Sequence, residues 1–302
     1  MSKRRPINQS PAGKPWSPSR LPKLRDQTSR VLARPDSRLR AAYRDDPTID
    51  GAVDRTAHHL TDSTLYWVTP QMSALAVSSA ETLTEARWGP ADRPAVFGLL
   101  VWDEGISTVT YQGADLPVTA ASWAPDPAGT AVWLYVSRGE LMRGARARGL
   151  TFTDLDQIPP LIPASHTVLA ATDWTPAEEH GDWRTALTTL WATWALMQQP
   201  TISSNNPGRI DHDIERAYQR ASRPEPEVTL IDLRRAYVPT APREVDGPGR
   251  KFQHRWVVNG HWRNQAYGPE RSLRRKLWVA AYVKGPDGKP MLSTARVNVW
   301  RR

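Results

Sequence analysis

The chain has 302 residues, is 39% hydrophobic and 24% charged, contains no cysteine and carries a formal net charge of +9. That length suits one large domain or two modest ones. The lack of Cys excludes disulfide scaffolds, thiolate zinc sites, iron–sulfur clusters and cysteine nucleophiles, and suits a reducing, cytoplasmic setting. No run of about 18 apolar residues occurs, so no membrane-spanning helix and no membrane partner is expected. The basic first residues run into Pro, Ser and Arg rather than an apolar stretch, which argues against a secretory signal.

The charge is segregated. Residues 1–40 hold eleven Lys and Arg against Asp26 and Asp36, a balance of +9, and residues 250–302 hold thirteen against Glu270 and Asp287, a balance of +11. The middle, 41–249, therefore carries −11. Basic ends on an acidic body favour a partner of opposite sign, most commonly nucleic acid, although the ends can equally fold back on the acidic middle.

In chain order, residues 1–45 are rich in Pro, Ser and Arg, with Trp16, Leu21 and Leu24 too scattered to bury. They predict a disordered basic tail. Leu65–Val68 reads as a strand, and Thr69-Pro70 starts an amphipathic helix over 70–86, with Met72, Leu75, Ala76, Ala80 and Leu83 on one stripe. Trp88-Gly89-Pro90 ends it. Runs at 96–102, 106–111, 118–123 and 131–137, separated by Gly- and Pro-containing turns, predict an antiparallel meander. Arg138–Gly149 is open between helix and exposed loop, and Thr167–Ala171 adds a strand. After Asp182, Trp183, Leu187, Leu190, Trp191, Trp194 and Met197 mark a second amphipathic helix, ended by Gln198-Gln199-Pro200. Its tryptophans suit a core better than a base-stacking platform.

Residues 60–200 thus form an acidic α+β domain. Residues 201–250 read as a connector with a loop at 203–208, a short helix at 211–221, a strand at 228–233 and a joint at Pro239–Gly249. Residues 251–302 read as a basic aromatic β module. The expected fold class is α+β: an antiparallel sheet with two amphipathic helices, a small C-terminal β module and a disordered N-terminal tail.

Within the module, strands are predicted at Phe252–Val258, Leu277–Val283 and Ala295–Trp300. Alternation places Leu277, Val279, Ala281 and Val283 on one face, and Lys276, Trp278, Ala280, Tyr282 and Lys284 on the other. Cations neutralise phosphates and aromatic rings stack on bases. The candidate nucleic-acid contacts are therefore Arg255, Trp262, Arg263, Arg271, Arg274, Arg275, Lys276, Trp278, Tyr282, Lys284, Arg296 and Trp300. The bland alternative is a small sheet whose aromatic face covers the acidic domain.

The string RWVVNGHWRNQAYGPERSLRRKLWVAAYVKGPDGKPML, with LYWVTPQM and TLWATWALMQQPTI upstream, resembles a poorly characterised family of actinobacterial phages, plasmids and chromosomes. The resemblance covers residues 65–302. It implies a mobile-element setting and supplies no activity, cofactor or catalytic set.

Catalytic templates fit poorly. Gly285-Pro286-Asp287-Gly288-Lys289-Pro290 lacks the spacing and the Ser/Thr of a phosphate-binding loop, and suits a turn better than a metal-dependent nuclease motif. No nucleophile elbow or zinc-protease helix occurs. Asp211-His212-Asp213 with Glu215 suits a solvated helix start better than a metal site, and His58-His59 has no matching ligands. No metal or cofactor is expected. A metal-independent ribonuclease would draw on His261, Arg263, Tyr267, Arg275 and Lys284, which supply proton transfer and charge stabilisation. The leading expectation is RNA or DNA binding through the C-terminal module. The runner-up is a protein-interaction or decoy role in which the acidic domain engages a basic host protein.

Overall fold

The computed structural model describes residues 16–43, 47–83, 89–111, 113–149, 155–170, 183–234, 254, 256–280 and 282–284. The fold is α+β, built around one eight-stranded sheet. Its centre is β1 (Thr64–Val68), which pairs in parallel with β2 (Gly98–Trp102) on one side and with β8 (Val228–Leu233) on the other. From β2 the sheet runs antiparallel through β4 (Ala114–Asp126), β5 (Gly129–Ser137) and β6 (Leu161–Ala170). Strand β3 (Thr108–Tyr111) pairs with the start of β4, and β7 (Ser203–Pro207) closes the far edge against β8. The expected antiparallel pairing is present from β2 to β6, except that β2 pairs directly with β4 and β3 lies beside β4 off the main path. The parallel pairs at β1 were not anticipated, because β8 arrives from 160 residues downstream and no local turn announces it.

Burial on both faces explains why the central strands read as unbroken apolar runs. Tyr66, Val68, Leu100, Trp102, Trp123 and Leu134 point to one side and meet α4 (Pro70–Ala80) and α6 (Trp183–Met197). Their neighbours Leu65, Trp67, Leu99, Val101, Trp133 and Tyr135 point to the other and meet α1 (Leu21–Leu32) and α3 (Pro47–Thr61). Gly98 is needed where it stands: a Cβ there would lie 2.1 Å from Cζ2 of Trp123. The Trp123 ring is held on the same edge by its Nε1 bond to the Ala95 carbonyl, 2.9 Å.

Three expectations change. First, residues 18–43 are not a tail. A short 3₁₀ turn at Pro18–Arg20 leads into α1, and α2 (Arg38–Tyr43) follows. Leu21, Leu24, Val31 and Leu32 recur at helical spacing and are buried against the sheet. Pro18 and Pro22 fall in the first turns of their helices, where a missing N–H is harmless. Residues 1–15 lie outside the described part. Second, α6 is not amphipathic, since every residue from Ala186 to Met197 is buried. Its hydroxyls are satisfied locally, Thr189 and Thr193 bonding the carbonyls four residues back. Thr193 also accepts from Trp102 Nε1, 3.2 Å. A helix apolar on all sides needs cover on all sides. Third, 203–207 and 228–233 belong to the main sheet rather than to a connector, with α7 (His212–Arg220) between them.

The remaining elements occur with shifted ends: α4 stops six residues short of its expected end at 86, and the strand expected from Thr167 already starts at Leu161. Helix α4 ends at Ala80, and α5 (Arg138–Ala147) resolves the helix-or-loop alternative as a helix, with the Ser137 hydroxyl accepting from the Gly139 amide. The joint at 239–249 and the strand expected at 295–300 lie outside the described residues, as do the turn at 285–290 and Arg255, Arg296 and Trp300. Among the described residues no helix is long and apolar enough to cross a membrane.

Candidate nucleic-acid interface

The C-terminal module contains two antiparallel pairs. Strand β9 (Trp256–Val258) pairs with β12 (Tyr282–Lys284), and β10 (His261–Tyr267) pairs with β11 (Leu273–Val279). The second pair is a hairpin whose turn uses left-handed backbone at Gly268, Glu270 and Arg271. Glycine is required at 268, where φ is +76° and a Cβ would sit 3.0 Å from Leu273 Cδ1. Residues 261–267, where no strand was expected, therefore form one, and the expected single strand over 277–283 is divided between β11 and β12.

Register sorts the hairpin into faces. Trp262 lies opposite Trp278, Asn264 opposite Lys276, and Ala266 opposite Arg274. On the other face His261 lies opposite Val279, Arg263 opposite Leu277, Gln265 opposite Arg275, and Tyr267 opposite Leu273. Trp278 is only 8% exposed and belongs to the core beneath α4 and α6. Trp262 packs edge-on against it at 5.2 Å and donates from Nε1 to the Ser79 carbonyl, 2.9 Å. The Trp278 amide donates to Gln199 Oε1, 2.9 Å. Gly260 permits this packing, since a Cβ there would lie 2.5 Å from Trp278 Cζ2.

The alternation holds within β11, and of the two arrangements the sequence left open, Trp262 and Trp278 follow the one in which the aromatic face covers the acidic domain. The tryptophan face packs on the acidic body and gives α6 its outer cover, whereas the Leu277 face looks outward. Trp262 and Trp278 are thereby removed from any base-stacking role. Lys276 shares their face beside Asn264 and is half-buried; burial pushes its ammonium below the usual lysine range, with Asp92 opposing the effect.

What stays open is cationic. Arg263, Arg271, Arg274 and Arg275 are exposed. The Arg275 guanidinium lies over the Tyr267 ring at 5.5 Å. Tyr267 and Leu273 are the exposed apolar residues of the hairpin, at 42% and 49%. Sequence reading overlooked Leu273, because β11 begins four residues before the apolar alternation that announced it. For Tyr282 and Lys284 only the strand pairing is described.

The basic residues of the N-terminal segment have a different fate. Arg20 pairs with Asp211 at 3.3 Å, Lys23 with Asp213 at 3.9 Å, and Arg40 with Asp50 at 2.6 Å and Asp54 at 3.2 Å. Arg25 and Arg223 both bind Asp26, and the Tyr218 hydroxyl bridges the cluster, accepting from Arg25 at 2.6 Å and donating to Asp26 at 2.7 Å. Burial alone would raise the Asp26 carboxyl, but the bonds from Arg223 and Tyr218 and the charge of Arg25 hold it below its ordinary value. These cations fold back on the acidic body. Among the described residues no ion pair engages Arg263, Arg271, Arg274 or Arg275.

The acidic start of α7 is explained by the same pairs. Asp211 and Asp213 meet cations of the N-terminal segment, and Glu215 meets His212 at 3.2 Å. No group of three or more His, Asp or Glu among the described residues has the arrangement of a metal site. Nor does the hairpin assemble the ribonuclease set. His261, Arg263, Arg275 and Tyr267 share the outward face, yet His261 and Tyr267 stand at opposite ends of β10, about 20 Å apart at the rise of a strand. That separation is too great for both to act on one phosphodiester.

No family model matches the chain, and no curated protein matches it. Among solved structures, the crystal structure of AcrVA2 aligns over 87% of this chain and 94% of its own, with a TM-score of 0.40 and 11% identity. A likeness at that level transfers no function.

Proposed function

We propose that the chain binds nucleic acid through the outward face and tip of the β10–β11 hairpin. One observation carries this reading: four exposed arginines, at 263, 271, 274 and 275, lie on one hairpin without an ion pair among the described residues, while Arg20, Lys23, Arg25 and Arg40 near the N-terminus are matched to aspartates. Guanidiniums clustered without carboxylate partners suit phosphate oxygens, which they can meet with two parallel N–H bonds, although one Arg274 nitrogen already donates to the Arg271 carbonyl at 2.7 Å. The tryptophans contribute indirectly, by anchoring the hairpin to α4 and α6 so that the arginines are presented rather than collapsed. The resemblance of this block to a family of phages and plasmids supports a mobile-element setting for the activity.

The test is binding of the full chain to a labelled oligonucleotide across a salt series. Phosphate neutralisation releases counterions, so affinity should fall linearly on a log–log plot with a slope of about −0.9 per phosphate engaged on B-form DNA. A flat response would overturn the reading.

A further inference from the structure

We infer that the nucleic acid is duplex DNA, and that the β10–β11 hairpin enters its major groove as a ribbon. The inference rests on the nucleic-acid reading above and concerns which form of nucleic acid this hairpin fits. A platform for single strands needs a row of open aromatic rings along one face. Among the described side chains of the hairpin, Trp262 and Trp278 are turned into the body, and the outer face offers the His261 ring at one end and Tyr267, with a guanidinium against it, at the other.

The cations are also distributed as a groove requires. Arg274 lies on the same face as Trp262 and Trp278, Arg263 and Arg275 lie on the opposite face, and Arg271 lies in the turn. A strand lying on a surface meets one face. A ribbon between two phosphate walls meets both.

The dimensions agree. The hairpin is held at its base by Trp262 and Trp278, and all nine residues from Tyr267 to Arg275 are exposed. From Arg275 outward, two strand steps and the turn extend about 10 Å at the rise of a β-strand. The major groove of B-form DNA is about 12 Å wide and about 8.5 Å deep, and it admits a two-stranded ribbon. The tip, with Glu270 and Arg271 in its turn, therefore reaches the groove floor, and the two faces bearing Arg274 and Arg275 turn toward the two phosphate walls. Duplex RNA offers no equivalent, because its major groove is too narrow and deep for side chains to read.

The experiment titrates the full chain, at matched ionic strength, against one sequence prepared as duplex DNA, as duplex RNA and as each single DNA strand. Duplex DNA should bind at least about tenfold more tightly than the other three, a gap of about 1.4 kcal/mol. Arg274→Ala and Arg275→Ala, on opposite faces, should each weaken duplex binding and each make the log–log salt slope shallower by about one unit. Arg216→Ala on α7 serves as the control and should change neither. Single strands binding as tightly as duplex DNA would overturn the ribbon while leaving nucleic-acid binding intact. So would duplex binding that depends on Arg275 but not on Arg274. Absence of salt-dependent binding to all four probes would overturn both.

Discussion

Replacing Trp278 by Ala tests whether the hairpin is docked as the structure places it. The ring is 8% exposed, packs edge-on against Trp262 at 5.2 Å and has Gly260 against it. Truncating a tryptophan at such a site costs about 3–5 kcal/mol. About 0.5–1.5 kcal/mol of this is the edge-to-face contact with Trp262. The bond from the residue 278 amide to Gln199 survives, since it is made by backbone. This bond and the Trp262 Nε1 bond to the Ser79 carbonyl each retain only about 1 kcal/mol of docking. An isolated two-stranded hairpin is marginally stable, so loss of docking should open the β10–β11 ladder as well. The assay is amide hydrogen exchange on the full chain. A loss of 3 kcal/mol accelerates exchange of the amides at 261–267 and 273–279 by about two orders of magnitude. The amides of β1, β2 and β8, on the far side of α4 and α6, should keep their protection. A change in the hairpin of less than about fivefold would refute the docking argument.

Three further outcomes are expected. Gly98→Ala drives a Cβ to 2.1 Å from the buried Trp123 ring and should lower the urea midpoint by the equivalent of about 1–3 kcal/mol, and an unchanged midpoint would mean the ring is not held there. Tyr218→Phe removes the hydroxyl that links buried Arg25 to Asp26 and should destabilise by about 1–3 kcal/mol, while a cost under about 0.5 kcal/mol would show that water replaces it. The Asp26 carboxyl has a folded-state value below its unfolded one, so its stabilisation is complete above about pH 3.9 and is lost as pH falls through the lowered folded value. Urea midpoints measured from pH 6 down to pH 2 should therefore lose less in Asp26→Asn than in the parent, and parallel curves would contradict the assignment.

How much was legible in the sequence depended on the range of the deciding contact. Strand β1 and helices α4 and α6 were visible from local period and from Pro70 at the start of α4, although the Thr69 hydroxyl expected to cap α4 instead donates to Asp232. The parallel pairing of β1 with β8 was not visible, since its register, Leu65 against Val228, joins segments with no turn between them. Helix α1 was hidden by composition: its prolines and arginines suggest disorder, while the Leu21, Leu24, Leu32 stripe is short and gains its value only against the sheet.

The hairpin shows the limit most clearly. Alternation divides β11 into two sets, but which set turns inward is decided by Ser79 and Gln199, which lie 183 and 79 residues from the groups they bind. The arginines were found by sequence as a cluster. Their distinction from the equally basic N-terminal segment required knowing that Arg20, Lys23, Arg25 and Arg40 already have aspartate partners.

The proposed binding surface stands on contact between these four hairpin arginines and phosphate. Its most direct test compares the salt slope of binding to duplex DNA for the intact chain and for a variant with Arg263, Arg271, Arg274 and Arg275 all changed to Ala. Loss of all four contacts should make the slope shallower by about three to four units at about 0.9 per phosphate. An unchanged slope in a folded variant would contradict the claim and place the binding surface elsewhere on the chain.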